Sequence, residues 1–314
     1  MTARLALRAD GSNTIGLGHV MRCGALANAL VVAGAAPIWL TTTPQYLPAD
    51  LDPAVEIIVL ESDDALADHL DALAIRDLIA DWKVTDADRV ATLRRHGTQV
   101  TLIGNFLHDA IPDLHVRQGF LPGLSASGAP ALSGPKYLLL ARNYANLPAR
   151  EVGPTAGRIL LSLGGTHTPL LARIRDLLAR SFPAMDVEWR GPARNGPVPP
   201  LSEALRLADI GILAGGTSLH EAAATGLPTL CVPIASNQLD RAAQFESAGL
   251  GLSLNPDDPG FERRFGTELS ALIADADRRQ TMARTGQALV DGGGADRVAR
   301  HLLGLAATRS AESQ

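Results

Sequence analysis

Arg158-Ile159-Leu160-Leu161-Ser162-Leu163-Gly164-Gly165-Thr166 reads as a buried strand running into a tight turn, with a helix predicted from there to Ser181. A nearly unbroken apolar strand marks a parallel sheet covered on both faces. Glycines at its end let the chain turn sharply into a crossover helix. The stretch lies halfway along 314 residues, and the same unit recurs on either side of it. Upstream, Arg4–Ala9 reads as a strand, Asp10 to Gly18 as a glycine-bearing loop, and His19 to Ala33 as a helix ended by Gly34. Pro37–Leu40, Glu56–Leu60 and Val100–Ile103 read as further strands, and Leu66 to Ile79 has helical periodicity. Downstream, Asp186–Trp189, Asp209–Leu213 and Thr229–Ile234 read as strands. They alternate with helices over Leu201–Ala208, from Gly215 through Thr225, and over Gln238–Ala248, with the last helices between Phe261 and Ala306. Such alternation predicts an α/β protein with two parallel sheets. The expected domains are 1–145 and 155–314. Gly119 to Gly134 is read as loop, Tyr137–Leu140 as a last strand of the first domain, and Asn146 to Gly157 as the linker.

Composition narrows the function classes. A hydrophobic content of 46% is enough for two cores, and an aromatic content of 4% leaves the packing to Leu, Val, Ile and Ala. A net charge of −5 argues against a nucleic-acid partner, which calls for a basic stripe. No apolar run reaches the roughly 18 residues that span a bilayer, and no leader-like segment precedes the first strand, so a cytoplasmic location is expected. Cys23 and Cys231 are far apart, without the spacing of a zinc site, and read as reduced structural thiols.

Chemistry is expected where strands end. In Gly16-Leu17-Gly18-His19 the glycines allow close backbone approach and the helix start favours an anion. The loop is a poor dinucleotide fingerprint, because Met21 stands at the third glycine and Thr41-Thr42-Thr43 replaces an acidic residue after the second strand. His19, in the first helical turn, is placed to take a proton from water or a hydroxyl, or simply to pack. Asp10 is placed to orient His19, to contact a sugar, or to hold the turn. Ala214-Gly215-Gly216-Thr217-Ser218-Leu219-His220-Glu221 has the make-up of a phosphate cradle. Glu221 stands where a carboxylate can accept from a ribose diol or complement the helix dipole. Gly164, Gly165 and Thr166 form a third such turn. Two D-x-D strings, Asp86-Ala87-Asp88 and Asp275-Ala276-Asp277, read as solvated helix faces and no metal is expected.

Arg8-Ala9-Asp10 followed by Ile15-Gly16-Leu17-Gly18-His19-Val20-Met21-Arg22-Cys23 resembles the N-terminal signature of the UDP-2,4-diacetamido-2,4,6-trideoxy-β-L-altropyranose hydrolases of pseudaminic acid biosynthesis. The resemblance continues through Gly134–Leu140, through Ala208–Glu221 with Gly226-Leu227-Pro228 and Asn237-Gln238, and through Asp291–Val298. The second-half pattern is shared with MurG-like glycosyltransferases. The resemblance implies a GT-B fold, two Rossmann-like domains whose sheets face an interdomain cleft. It implies that UDP binds mainly to the second half, with Glu221 on the ribose and Gly215 to Ser218 on the diphosphate, and that Arg22, Asn237 and Gln238 are ligand contacts. It implies that His19 activates a water that attacks the anomeric carbon with inversion, needing no cofactor. Three positions depart from the family pattern: His167, Asn105, and Lys83 in Asp81-Trp82-Lys83. A GT-B glycosyltransferase with a UDP-sugar donor and a non-catalytic nucleotide-sugar-binding protein fit the same loops.

Overall fold

The computed structural model describes residues 2–12, 14–104, 109–123, 128–164, 168–191 and 200–312, with side chains as far as 309. The chain forms two compact units: Met1–Arg142 with Gly292–Gln314, and Asn143–Asp291. Gly292–Gln314, which the sequence reading allots to the second domain, therefore groups with the first.

In the first unit, β1 (Arg4–Ala9) leads into α1 (Gly18–Val32), followed by β2 (Ala36–Thr41), β3 (Glu56–Val59), α2 (Leu66–Ala72), β4 (Asp77–Asp81), α3 (Ala87–Arg95), β5 (Gln99–Ile103), β6 (Leu114–Val116) and β7 (Ala131–Leu132). Among the described residues these strands form one parallel sheet in the order β3-β2-β1-β4-β5-β6-β7. Strand side chains alternate between faces. Leu5, Leu7, Ala9, Trp39 and Ile79 face α1, whose Leu26 and Leu30 are fully buried against them. Ala6, Ile38, Leu40, Leu78 and Ala80 face α2 and α3 on the other side.

The predicted helix over Leu66–Ile79 is corrected. The helix stops at Ala72, and β4 begins at Asp77. The chain turns through Ala74 at φ 52°, with the Ile75 amide donating back to the Leu70 carbonyl at 2.9 Å. This is a left-handed helix stop of the kind glycine usually signals, made here without one. Tyr137–Leu140 is likewise no strand; a short 3₁₀ turn over Pro135–Tyr137 leads into extended chain.

The second unit runs β8 (Arg158–Ser162), α4 (Pro169–Ser181), β9 (Asp186–Arg190), α5 (Leu201–Leu207), β10 (Ile210–Leu213), α6 (Ser218–Thr225), β11 (Thr229–Cys231), α7 (Leu239–Ser247), β12 (Gly251–Ser253), α8 (Phe261–Ala274) and α9 (Ala276–Leu289). Its parallel sheet has the order β12-β11-β10-β8-β9. Ile159, Leu161, Ile210 and Ile212 pack beneath α4 and α8. The segment read as a linker is tied to this unit. The Arg150 guanidinium donates to the Leu205, Ala208 and Thr225 carbonyls at the ends of α5 and α6, and Arg279 donates to the Leu272 and Ile273 carbonyls at the end of α8 as well as to those of Gly153 and Pro154. Both cations sit where helix C-termini leave carbonyls without intrahelical donors.

The final helix, α10 (Gly294–Glu312), packs on α1 in the first unit, burying Ala295, Val298, Ala299 and Leu302. Among the described residues, no helix is long and apolar enough to cross a membrane.

Candidate functional site

A parallel sheet binds ligands at its carboxyl edge, where crossovers leave in opposite directions from two adjacent strands. In the first unit that point lies between β1 and β4. Ala9 pairs with Asp81 in register, so the loop after β1 and the end of β4 meet there. His19 and Arg22, three residues apart on one face of α1, both reach Asp81. The His19 Nδ1 lies 2.6 Å from Asp81 Oδ1. Arg22 donates from Nε to Oδ2 and from Nη2 to Oδ1, each at 2.9 Å. The Asp81 side chain is 1% exposed and that of His19 15%. Burial opposes the Asp81 charge, but Arg22 and His19 more than offset it and hold the carboxyl below the usual carboxylate range. An ionised carboxylate only accepts, so the neutral imidazole carries its hydrogen on Nδ1 and its lone pair on Nε2. That is the form that can take a proton. Arg22, expected among the ligand contacts, is 6% exposed and committed to Asp81. Burial pushes the neighbouring Cys23 thiol well up, which keeps it un-ionised.

Asp10 does not orient His19. Its Oδ1 accepts from the Thr41 hydroxyl and the Thr42 amide, both at 2.8 Å, and from the Thr43 hydroxyl at 3.2 Å. Its Oδ2 accepts from the Thr42 hydroxyl at 2.8 Å and from Arg8 at 2.6 Å. Arg8 in turn reaches Asp63 at 2.5 Å, and Asp63 accepts from Arg89 at 3.0 Å. Burial works against ionised Asp10, but the Arg8 guanidinium and the threonine donors outweigh it and place the carboxyl far below its ordinary range. The Thr41-Thr42-Thr43 run, unfit for a dinucleotide, is the cradle of Asp10. Alternation puts Arg8, with Ala6, on the α2/α3 face of the sheet and Asp81, with Ile79, on the α1 face.

The loop between them is tightly wound. Gly16 has φ 89°, and its amide donates to the Ser12 carbonyl at 2.8 Å. Ser12 Oγ accepts from the Ile15 amide at 2.9 Å. Lys83 Nζ donates to the Thr14 carbonyl at 3.0 Å, tying the loop to the end of β4. Gly18 opens α1, with Leu17 and Met21 exposed beside it.

In the second unit the corresponding point lies between β8 and β10, where the other two glycine turns begin. Gly164 takes φ 87°; Gly165 and Thr166, like His167 and Asn105, lie outside the described residues. A side chain on Gly215 would come within 2.8 Å of Gln238 Cβ. Gly215 donates its amide to Gln238 Oε1 at 3.0 Å and accepts from Arg241 Nη1 at 3.0 Å. Gln238 thus braces the cradle from within, while Asn237 is exposed. Gly216, Thr217 and Ser218 are partly exposed, and the space over Gly216 is open. The start of α6 turns its first-turn amides towards this edge. A cavity of about 480 Å³ opens on the same edge, lined among others by Thr168, Pro169, Ile234, Ala235, Ser236 and Asn255. Glu221 retains some accessible surface, yet burial raises its carboxyl to about 7 against a hydrogen bond from Tyr144 that lowers it.

Sequence reasoning passed over Asp81 and Tyr144. Asp81 is the first residue of the altered Asp81-Trp82-Lys83 segment, and that was its one signal. The D-x-D strings are spent on helix starts: Asp86 accepts from the Asp88 and Arg89 amides, and Asp275 from the Arg278 amide.

Comparison with protein-family models and with curated protein sequences gives no match. Among solved structures, the chain is similar to CalG4, the calicheamicin glycosyltransferase, at 19% identity and a TM-score of 0.65, over 98% of this chain and 100% of that one. It is similar to MurG of Acinetobacter baumannii at 14% identity and 0.64, over 96% and 99%. It is similar to LpCGTa, solved in complex with UDP, at 15% identity and 0.65, over 96% and 98%. The likeness is one of fold: two Rossmann-like α/β units with parallel sheets, the GT-B architecture of these glycosyltransferases.

Proposed function

We propose that the chain hydrolyses a UDP-linked diacetamido-trideoxy sugar, with nucleotide recognition assigned to the second unit and water activation to the first. The observation that carries this reading is the His19–Asp81 pair at the β1/β4 switch point. In this scheme His19 Nε2 takes a proton from water. The water oxygen forms a bond to the anomeric carbon from the face opposite UDP, the bond from that carbon to the UDP oxygen breaks, and UDP leaves with the bonding pair. The amides at the start of α6, with Thr217 and Ser218, receive the charge of the diphosphate. Glu221 accepts from the ribose hydroxyls, and Asn237 and the Gly164 turn border the ligand. The sugar identity follows from the N-terminal resemblance.

A second reading rests on the same pair. A base that activates water also activates an acceptor hydroxyl, and the exposed Leu17 and Met21 flank His19 at the start of α1. In that case the protein is a glycosyltransferase with a UDP-sugar donor.

The deciding experiment incubates the protein with UDP-2,4-diacetamido-2,4,6-trideoxy-β-L-altrose in oxygen-18 water, beside His19→Asn. Label in the sugar, inverted anomeric configuration and a loss of roughly 10²–10⁴-fold in the variant support hydrolysis with His19 as base. Label in the phosphate refutes attack at carbon. UDP binding without turnover, followed by transfer to an added hydroxyl acceptor, favours the second reading.

A further inference from the structure

The His19–Asp81 contact by itself poses a difficulty for a base. An ionised carboxylate 2.6 Å from an imidazole favours the imidazolium, and an imidazolium has no lone pair with which to accept a proton. A useful base near neutral pH needs the orientation that the carboxylate gives without the full weight of its charge. The third member of the cluster supplies that correction.

We propose that Arg22 is a positioning residue that keeps His19 in its neutral, Nδ1-protonated form by neutralising Asp81 and setting a fixed positive charge against the ring. This deepens the reading of His19 as the base and rests on it. Three observations carry the assignment. Arg22 grips both oxygens of Asp81 through the planar fork of its guanidinium, at 2.9 Å each, so the carboxylate is already paired before His19 is counted. Arg22 Nη2 also lies 3.3 Å from His19 Nδ1. Both atoms are donors when Nδ1 holds its hydrogen, so this is a close approach of two positive edges, and it sharpens if the ring gains a second proton. The Arg22 side chain is 7% exposed and that of Asp81 1%, so solvent and salt screen the group weakly.

The other charged groups around the cluster do not substitute for Arg22. Lys83, after β4, is held at the Thr14 carbonyl. Arg8, on β1, and Asp10, just after it, pair with each other. Cys23, on α1, is kept neutral by burial. Arg22 also explains why the contact to Asp81 is made with an arginine. A lysine at this position provides a single charged point and cannot hold both oxygens in one plane.

The test uses the full chain with histidine labelled in carbon-13 and nitrogen-15, and needs no turnover. His19→Asn assigns the ring signals. In the wild-type protein the neutral ring is expected to carry its hydrogen on Nδ1. In Arg22→Gln the ring should gain a proton at higher pH, its proton affinity rising roughly tenfold or more as Asp81 loses its competing cation. Adding Asp81→Asn to that variant should abolish the rise. Arg22→Lys, which keeps a buried charge for Asp81, should fall between, and it stands in if the glutamine variant does not fold. A folded Arg22 variant whose His19 titrates at the wild-type pH or below overturns the proposal. So does a wild-type neutral ring with its hydrogen on Nε2. With the UDP-sugar above, the acid limb of the rate profile should move to higher pH in Arg22→Lys while KM stays within about threefold. Loss of turnover in His19→Asn with an unmoved acid limb in Arg22→Lys refutes the role of Arg22 and leaves the base intact. Full turnover in His19→Asn refutes the base itself.

Discussion

Gln238 Oε1 accepts two amide hydrogens at once, from Gly215 and from Ile234, each at 3.0 Å. One side chain thereby joins the turn after β10 to the chain leaving β11. Gln238→Ala leaves both donors without this acceptor, and we expect a loss of about 1–3 kcal/mol in urea unfolding. UDP affinity by calorimetry should fall with it, since the glycine turn is no longer braced. Gln238→Glu keeps an acceptor oxygen in place and should restore most of both. Unchanged stability in the alanine variant would mean that water replaces the side chain without cost.

Glu221 makes the ligand-free protein sensitive to pH in an unusual direction. Its carboxyl is raised from 4.5 to about 7 by burial. Below 4.5 the folded and unfolded chains both hold the proton, and between 4.5 and about 7 only the folded chain does. This group therefore lowers stability as pH rises through that window, by about 3 kcal/mol in total once pH exceeds 7. Glu221→Gln should remove that slope from a series of unfolding curves at fixed salt, and an identical slope in the variant would refute the assignment. The same variant should bind UDP more weakly, because the proposed ribose acceptor is gone.

Asp10 should prove to be a structural residue. Asp10→Ala strips the Arg8 guanidinium of one carboxylate and Thr41, Thr42 and Thr43 of their shared acceptor. Breaking a buried pair in this way costs about 3–5 kcal/mol, measurable by denaturant titration. The folded-state carboxyl lies far below its ordinary range, so its contribution is present at neutral pH and lost as pH falls below the value of a free carboxyl. At a temperature where the variant is folded, the position of the acid limb should match wild type, since the hydrogen bonds of His19 do not pass through Asp10.

Gly294 is packed too tightly for any side chain. A Cβ there would lie 2.1 Å from the Leu138 carbonyl oxygen. Gly294→Ala must push α10 away from the 138–140 segment, at a cost of about 1–3 kcal/mol. Hydrogen exchange should show the start of α10 opening sooner in the variant, with α5 and α6 unaffected.

Most of the fold was legible because the strand–glycine–helix rhythm is written in local residue types. Arg4–Ala9, Arg158–Ser162 and the helices that follow them are found within a residue or so of their predicted limits, apart from the start of α4. What was hidden is the part that depends on a turn without a turn residue. Leu66, Leu70 and Leu73 keep helical spacing, and no glycine or proline marks the reversal at Ala74, so β4 merged into the preceding helix. Losing β4 meant losing Asp81, and Asp10 was left as the visible carboxylate near His19. The glycine turns could be found from sequence because a sharp turn at a strand end needs small residues. The partner of His19 could not, since it comes from 62 positions away through strand pairing that only the sheet order reveals.

The return of α10 to the first unit bears on the order in which the protein can be made. Residues 1–142 leave the ribosome first, yet the apolar face of α1 lacks Val298 and Leu302 until the last segment follows. The second unit is one continuous stretch, Asn143–Asp291, and has its whole sequence available earlier. The half synthesised first is thus the half completed last, and nascent chains stalled before residue 294 present the α1 surface uncovered to chaperones.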